Sequence, residues 1–189
     1  MTAVFSQYDP KKVEWRRVTD PSCTAFHVEF DYSLLGYDLP SQRLDMMLRY
    51  VNQGHCRRHR HRASTMTLVL EGEQHLDEFQ PGGTTKRIVR KAGDYAIAPV
   101  DALPHDEWGG ENGGTVIYSL HAPDGIIFEY FNEDMTETWT TSIEEFVASW
   151  EKGSVYGWQP EAAGRRNVRA GPRPVTGGAR NSPGPVRPG

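Results

Sequence analysis

Between Arg43 and Tyr50 the chain alternates in polarity. Leu44, Met46, Leu48 and Tyr50 share one parity, and Arg43, Asp45, Met47 and Arg49 share the other. A period of two predicts a half-buried β-strand. Shorter runs of the same kind follow at Thr65–Leu70, Gln74–Phe79, Thr85–Val89, Asp94–Ala98, Thr115–His121 and Ile126–Phe131. Turn signals separate them, among them Glu71-Gly72-Glu73, Pro81-Gly82-Gly83, Ala92-Gly93-Asp94 and the glycine-rich stretch from Gly109 to Gly114. Upstream, Val13–Val18 and Phe26–Phe30 read as short strands, and Asp31–Ser41, punctuated by Gly36 and Pro40, reads as a turn-rich connection. Many short strands with Gly/Pro turns predict an all-β sandwich or barrel, for which a jelly roll is one solution. One helix stands out. Ser142-Ile143-Glu144-Glu145 is a capping box, and Ile143, Phe146, Val147 and Trp150 recur at helical spacing. It is expected to pack on the outside of the barrel.

Composition refines this picture at the ends of the chain. A length of 189 residues fits one domain with extensions. Residues 1–42 are expected to hold N-terminal strands and a connection, and 43–159 the barrel with its helix. From Pro160 to Gly189, Arg165, Arg166, Arg169, Arg173, Arg180 and Arg187 face the single acid Glu161, with almost no large apolar residue. A segment of that composition cannot bury enough apolar surface to offset its ordering entropy, so a disordered tail is expected. The net charge of −4 gives no general attraction to nucleic acid, and no apolar run is long enough to span a bilayer. Two cysteines, Cys23 and Cys56, make no disulfide framework, and the first residues show no secretory pattern, so a reducing, cytoplasmic setting is expected.

Chemistry concentrates in the run Gly54-His55-Cys56-Arg57-Arg58-His59-Arg60-His61. Side chains two apart on a strand share a face, so His59 and His61 point one way and Arg58, Arg60 and Arg62 the other. Two neutral imidazoles on one rigid strand are half of a metal site. Cys56 reads as a small buried hydrophobe. His55 and His75 read as surface histidines, and His27 and His121 as histidines satisfied by hydrogen bonds.

Together with a second segment, Gly93-Asp94-Tyr95 through Pro99, Asp101 and Pro104-His105, this run resembles the two motifs of the cupin superfamily across Arg43 to Phe131. The resemblance implies a cupin double-stranded β-helix in which His59, His61 and His105 bind one divalent metal. Four departures mark this chain. Gly54 lies one residue close to His59, Thr65 stands where cupins usually place a glutamate ligand, Asp101 replaces a motif glycine, and one extra residue precedes His105. A substitute carboxylate is expected from the next strand, where Gln74, Leu76 and Glu78 share a face. Glu78 as ligand resembles the arrangement in cupins of the 2,4'-dihydroxyacetophenone dioxygenase type.

That resemblance implies a mononuclear non-heme Fe(II) dioxygenase, with zinc or another divalent metal as the other options for the ion. It would cleave a C–C bond in a small hydroxy-ketone or diketone with O₂. Glu78 and Tyr118 are the expected catalytic residues, and Tyr95, Thr65, Thr67 and Trp108 further candidates to line the pocket. Asp106 and Glu107, next to His105, are candidates to orient a ligand histidine. Two other readings stand beside it: a regulatory cupin binding zinc or a small molecule, and a metal-dependent isomerase or cyclase. The apolar positions Met66, Leu68 and Leu70 suggest a homodimer.

Overall fold

The computed structural model describes residues 11–155, and the Gly/Pro/Arg-rich segment after Pro160 lies outside them. Ten strands and one helix follow in the order β1 (Arg16–Asp20), β2 (Val28–Asp38), β3 (Arg43–Tyr50), β4 (His59–His61), β5 (Ser64–Phe79), β6 (Thr85–Lys91), β7 (Tyr95–Ala98), β8 (His105–His121), β9 (Ile126–Phe131), β10 (Thr138–Ser142) and α1 (Ile143–Glu151). The ladders run β1-β2-β3-β8-β4-β9-β10, and β5 joins β8 to β6 and β7. All are antiparallel, and the strands curl into a jelly-roll barrel whose inner face carries the alternating residues the sequence marks out.

β3 shows the alternation directly. Leu44, Met46, Leu48 and Tyr50 are buried, while Arg43 and Asp45 are exposed. They join Tyr32, Val69, Val116, Tyr118, Leu120, Ile127 and Phe128 in one continuous core. Close packing of this kind makes each buried large side chain worth several kcal/mol, about 3–5 for a Phe→Ala truncation. Phe146 and Tyr32 meet edge to face at 5.4 Å, which fixes α1 against β2. The capping box closes as the sequence predicts: the Glu145 amide donates to Ser142 Oγ at 3.1 Å, and the Ser142 amide donates to Glu145 Oε2 at 3.0 Å.

Two predicted turns are bends within long strands. β5 runs unbroken through Gly72 and β8 through Gly109–Gly114, with register shifts between Val69 and Glu71 and between Gly72 and Gln74. Gly72 pairs with Gly114. Gly72 has φ +64°, and a Cβ there would lie 2.3 Å from the Gly113 carbonyl oxygen, so only glycine fits. The two strands therefore bend together, which carries each across both faces of the barrel. The stretch expected as a connection, Asp31–Ser41, is mostly strand: β2 continues to Asp38, with Leu35 left over in a bulge between the pairs Leu34–Met46 and Gly36–Asp45. β1 and β2 thus join β3 in the same sheet as the barrel. β10, not expected from the sequence, pairs with β9.

Candidate metal centre

β4 and β8 place the candidate ligands. His59 pairs directly with His105 across them. On β4, His59 and His61 are buried at 5% exposure each, as strand parity requires. Arg58, just before the strand, and Arg60, between the histidines, turn outward into ion pairs, Arg58 with Asp106 at 2.8 Å and Arg60 with Glu129. On β8, His105 and Glu107 share the inner face while Asp106 faces out to Arg58. Nitrogens of His59, His61 and His105 and an oxygen of Glu107 all lie within 4.8 Å of one another. An ion about 2.1 Å from each donor needs donors no more than roughly 4.2 Å apart, so small side-chain rotations close the set.

Hydrogen bonds to the other ring nitrogen fix all three imidazoles. His59 Nδ1 lies 2.7 Å from the Arg57 carbonyl, and His105 Nδ1 lies 2.9 Å from the Leu103 carbonyl. A carbonyl only accepts, so each Nδ1 carries the proton. His61 Nδ1 lies 2.9 Å from Thr65 Oγ1, whose own proton goes to the Ala63 carbonyl at 3.1 Å. The hydroxyl therefore accepts from His61, and Nδ1 is again protonated. In the neutral form of each ring, Nε2 then carries a lone pair directed inward. His61 Nε2 and His105 Nε2 are buried with no hydrogen-bond partner. Buried polar atoms of this kind are costly unless something binds them, and a divalent cation supplies what they lack.

Protonation follows the same logic. Burial, reinforced by His105, lowers His59 to about 4, and burial together with the other two histidines holds His61 well below its usual value. Both are neutral, ligand-ready imidazoles near pH 7. Burial acts to raise Glu107, but contact with His105 and the facing histidines prevails, and the group stays well below the usual carboxylate range. Its Oε2 lies 3.4 Å from His59 Nε2 and 3.7 Å from His105 Nε2. Its Oε1 accepts from Tyr50 Oη, Tyr118 Oη and Gln74 Nε2. Burial and the Glu107 charge push both tyrosines and the Cys56 thiol well up, so all three keep their protons.

The structure departs from the sequence reading at the carboxylate and at several lining residues. The carboxylate among the histidines is Glu107, not Glu78. Glu78 sits opposite His105 at the end of β5, but its Oε2 accepts from Gln80 Nε2 at 2.7 Å beside the following turn. Glu107 was legible only as a neighbour of His105; applying to β8 the parity that pairs His59 with His61 puts it on the ligand face. Gln74 is 1% exposed inside the barrel with Leu76, and Thr65, Thr67 and Tyr118 are buried. Tyr95 is 62% exposed and lies outside. Trp108 also faces away from the ligands, stacked on His55 at 4.9 Å beneath Arg87. His55 is thus sandwiched between Phe26 and Trp108 instead of lying on the open surface. Cys56 is buried, as expected, and His75 and His27 pair with Glu73 and Glu29.

The motif departures have physical counterparts. Asp101 holds φ +56°, the left-handed conformation a motif glycine would supply, which aspartate tolerates better than most residues. A Cβ on Gly54 would lie 2.0 Å from the Glu29 carbonyl oxygen, so glycine is required where β2 passes closely. Thr65, in place of a ligand, acts through His61.

Barrel and centre together define a cupin fold carrying a three-histidine, one-carboxylate site suited to a metal ion. Solved structures agree on the fold. An acetylacetone dioxygenase from Acinetobacter johnsonii superposes with a TM-score of 0.56 at 12% identity, over 80% of this chain and 93% of its own. An RmlC-like cupin from Ralstonia eutropha superposes with a TM-score of 0.57 at 10% identity, over 80% of this chain and 87% of its own. The sequence matches no family model and no curated protein.

Proposed function

We propose that the protein is a mononuclear non-heme iron oxygenase that acts on a small carbonyl-bearing molecule, a hydroxy-ketone or diketone, and cleaves a C–C bond with O₂. One observation carries the reading: three inward Nε2 lone pairs and one anionic oxygen converge in a buried site, two of the nitrogens having no other partner. His59, His61, His105 and Glu107 would hold the ion. When bound, such an ion polarises a carbonyl or enol oxygen and templates its reaction with oxygen. The protein's part is to keep the ligands neutral or anionic as required, to fix their rotamers, and to exclude water through Phe128 and Tyr130, whose rings pack on the histidines. Tyr118, whose hydroxyl donates to Glu107 Oε1, is the neighbouring group that touches the carboxylate from its own strand. The dioxygenase from Acinetobacter johnsonii supports this reading through the shared fold alone.

A closed zinc site in a regulatory cupin is the second reading, favoured by the depth of the four donors, each at most 5% exposed. Metal analysis of the purified protein, with an oxygen electrode, separates the two. Iron in stoichiometric amount and O₂ uptake with a β-diketone or hydroxyacetophenone are expected. Tightly held zinc with no uptake across these compounds overturns the oxygenase reading. His105→Ala is expected to abolish stoichiometric metal while leaving β-rich circular dichroism intact. We propose that self-association, as expected from the sequence, would use the outer face of β5 and β7, where Ile97 and Tyr95 are 66% and 62% exposed beside the cross-strand partners Met66 and Leu68. Ile97→Arg is expected to shift a dimer to monomer in light scattering, and a monomeric wild type overturns that placement.

A further inference from the structure

Glu107 is held from one side only. Tyr50 from β3, Tyr118 from β8 and Gln74 from β5 all donate to Oε1, while Oε2 alone faces the histidines. A carboxylate oxygen has about two lone-pair directions, so three donors leave Oε1 nothing to offer a metal. The orientation of Gln74 is itself set. Arg90 Nη1 donates to Gln74 Oε1 at 2.7 Å, which leaves Gln74 Nε2 to donate to Glu107 and to Tyr118 Oη at 2.7 Å. The reverse amide orientation would face Arg90 with a donor and Glu107 with an acceptor. Donors from three strands thus converge on one oxygen atom, one of them oriented by a half-buried arginine.

We propose that Tyr50, Tyr118 and Gln74 are positioning residues that restrict Glu107 to a one-oxygen ligand, and so set how many positions on the metal remain for substrate. The inference rests on the metal-centre reading above. A six-coordinate ion held by three histidines and one carboxylate oxygen keeps two positions, which matches a substrate that chelates through two oxygens. A carboxylate turned to bind through both oxygens would leave one, too few for a chelate. The arrangement therefore selects a chelating, two-oxygen ligand over a monodentate one. Arg90 acts through Gln74 and touches no reacting atom in this scheme.

The test uses the full-length protein loaded with Co(II), whose visible absorption reports coordination, and titrated with 4-nitrocatechol, a coloured chelator. Wild type is expected to bind Co(II) and then to chelate nitrocatechol, with the spectral change of a doubly deprotonated ligand. In the Tyr50→Phe/Gln74→Met double variant, Co(II) affinity should stay within tenfold. Nitrocatechol affinity should fall at least tenfold, and the Co(II) spectrum should change before nitrocatechol is added. Gln74→Met alone, the milder change, should weaken nitrocatechol at least threefold and keeps the test decisive if the double variant does not fold. Unchanged nitrocatechol binding and an unchanged Co(II) spectrum in either folded variant overturn the proposal. So does a folded variant that loses Co(II) altogether, because the donors then serve affinity and not binding mode. A wild type that binds Co(II) but not nitrocatechol also overturns it, leaving the metal centre standing. A wild type that binds no Co(II) overturns the metal reading itself.

Discussion

Glu107→Gln separates a ligand from a structural carboxylate. The amide is isosteric, and the three donors on Oε1 hold its carbonyl oxygen in the same place. Its NH₂ then faces His59 and His105, whose Nε2 atoms lie 3.4 and 3.7 Å from the present Oε2 and accept hydrogen bonds. The metal-free protein keeps its buried polar groups satisfied, so its stability should change by no more than about 1 kcal/mol. Metal binding should not survive as well. A unit charge about 2.1 Å from a dication is worth on the order of 15 kcal/mol gross at an effective dielectric of about 20. Dehydration of the ion and the carboxylate cancels most of this, and keeping only about a fifth leaves roughly 3 kcal/mol, a hundredfold in affinity. The loss is compounded because the group turned to the metal is an NH₂, which is no ligand. Flipping it would break three hydrogen bonds. Competition with a chromophoric chelator measures affinity, and thermal unfolding with and without metal measures the rest. Expected are an unchanged midpoint without metal and a metal-induced shift that disappears at metal concentrations saturating wild type. A variant whose affinity stays within tenfold of wild type refutes the reasoning and removes Glu107 from the ligand set.

Other outcomes follow from neighbouring residues. Thr65→Val removes the acceptor that fixes the His61 tautomer and should weaken metal binding by about 10–100-fold with circular dichroism unchanged, as chelator competition would show. Glu78→Gln should leave metal affinity unchanged in the same assay, because its carboxylate is bonded to Gln80 and stands apart from the four donors. Asp31 is buried between Arg17 and Arg49; burial acts to raise it, but the hydrogen bonds from both arginines prevail and lower it. A depressed carboxylate contributes stability above its unfolded value and loses it as pH falls through the folded one. Asp31→Asn should therefore cost about 1–3 kcal/mol near pH 7, less than a fully buried pair because both arginines are part-exposed. Chemical denaturation should show the gap closing below about pH 4.

How far the sequence could be read depended on whether a signal was local. The alternation Leu44, Met46, Leu48, Tyr50 and the pair His59/His61 obey a two-residue period, and both lie where that period puts them. The helix carried its own start signal in Ser142 and Glu145. Gly72 and Gly113 signal a departure from regular strand, but a turn and a bulge use the same residue; only the pairing of β5 with β8 decides between them. β2 was hidden by Gly36 and Pro40, and β10 by a polar sequence, Thr138-Trp139-Thr140-Thr141-Ser142, whose partner strand gives it order. Glu107 was the hardest. Acidic residues normally stay in water, and this one is buried because donors from the distant strands β3 and β5 and from the far end of its own strand meet it. Glu78 has the right parity and the wrong neighbours.

The thinness of the seam between β4 and β8 has a consequence of its own. β4 is three residues long, and its pairing with β8 is the single register pair His59 and His105. A bound ion would cross-link the two strands where backbone bonds are fewest, doing the work of the missing ladder. Occupancy would then lend stability in proportion to the logarithm of free metal, about 2.7 kcal/mol at a hundred times the dissociation constant. Without the ion, β4 and β8 keep that one pair and the bond just before it, from the Cys56 amide to the Glu107 carbonyl at 2.8 Å. Metal supply would thereby set the barrel's stability as well as its chemistry.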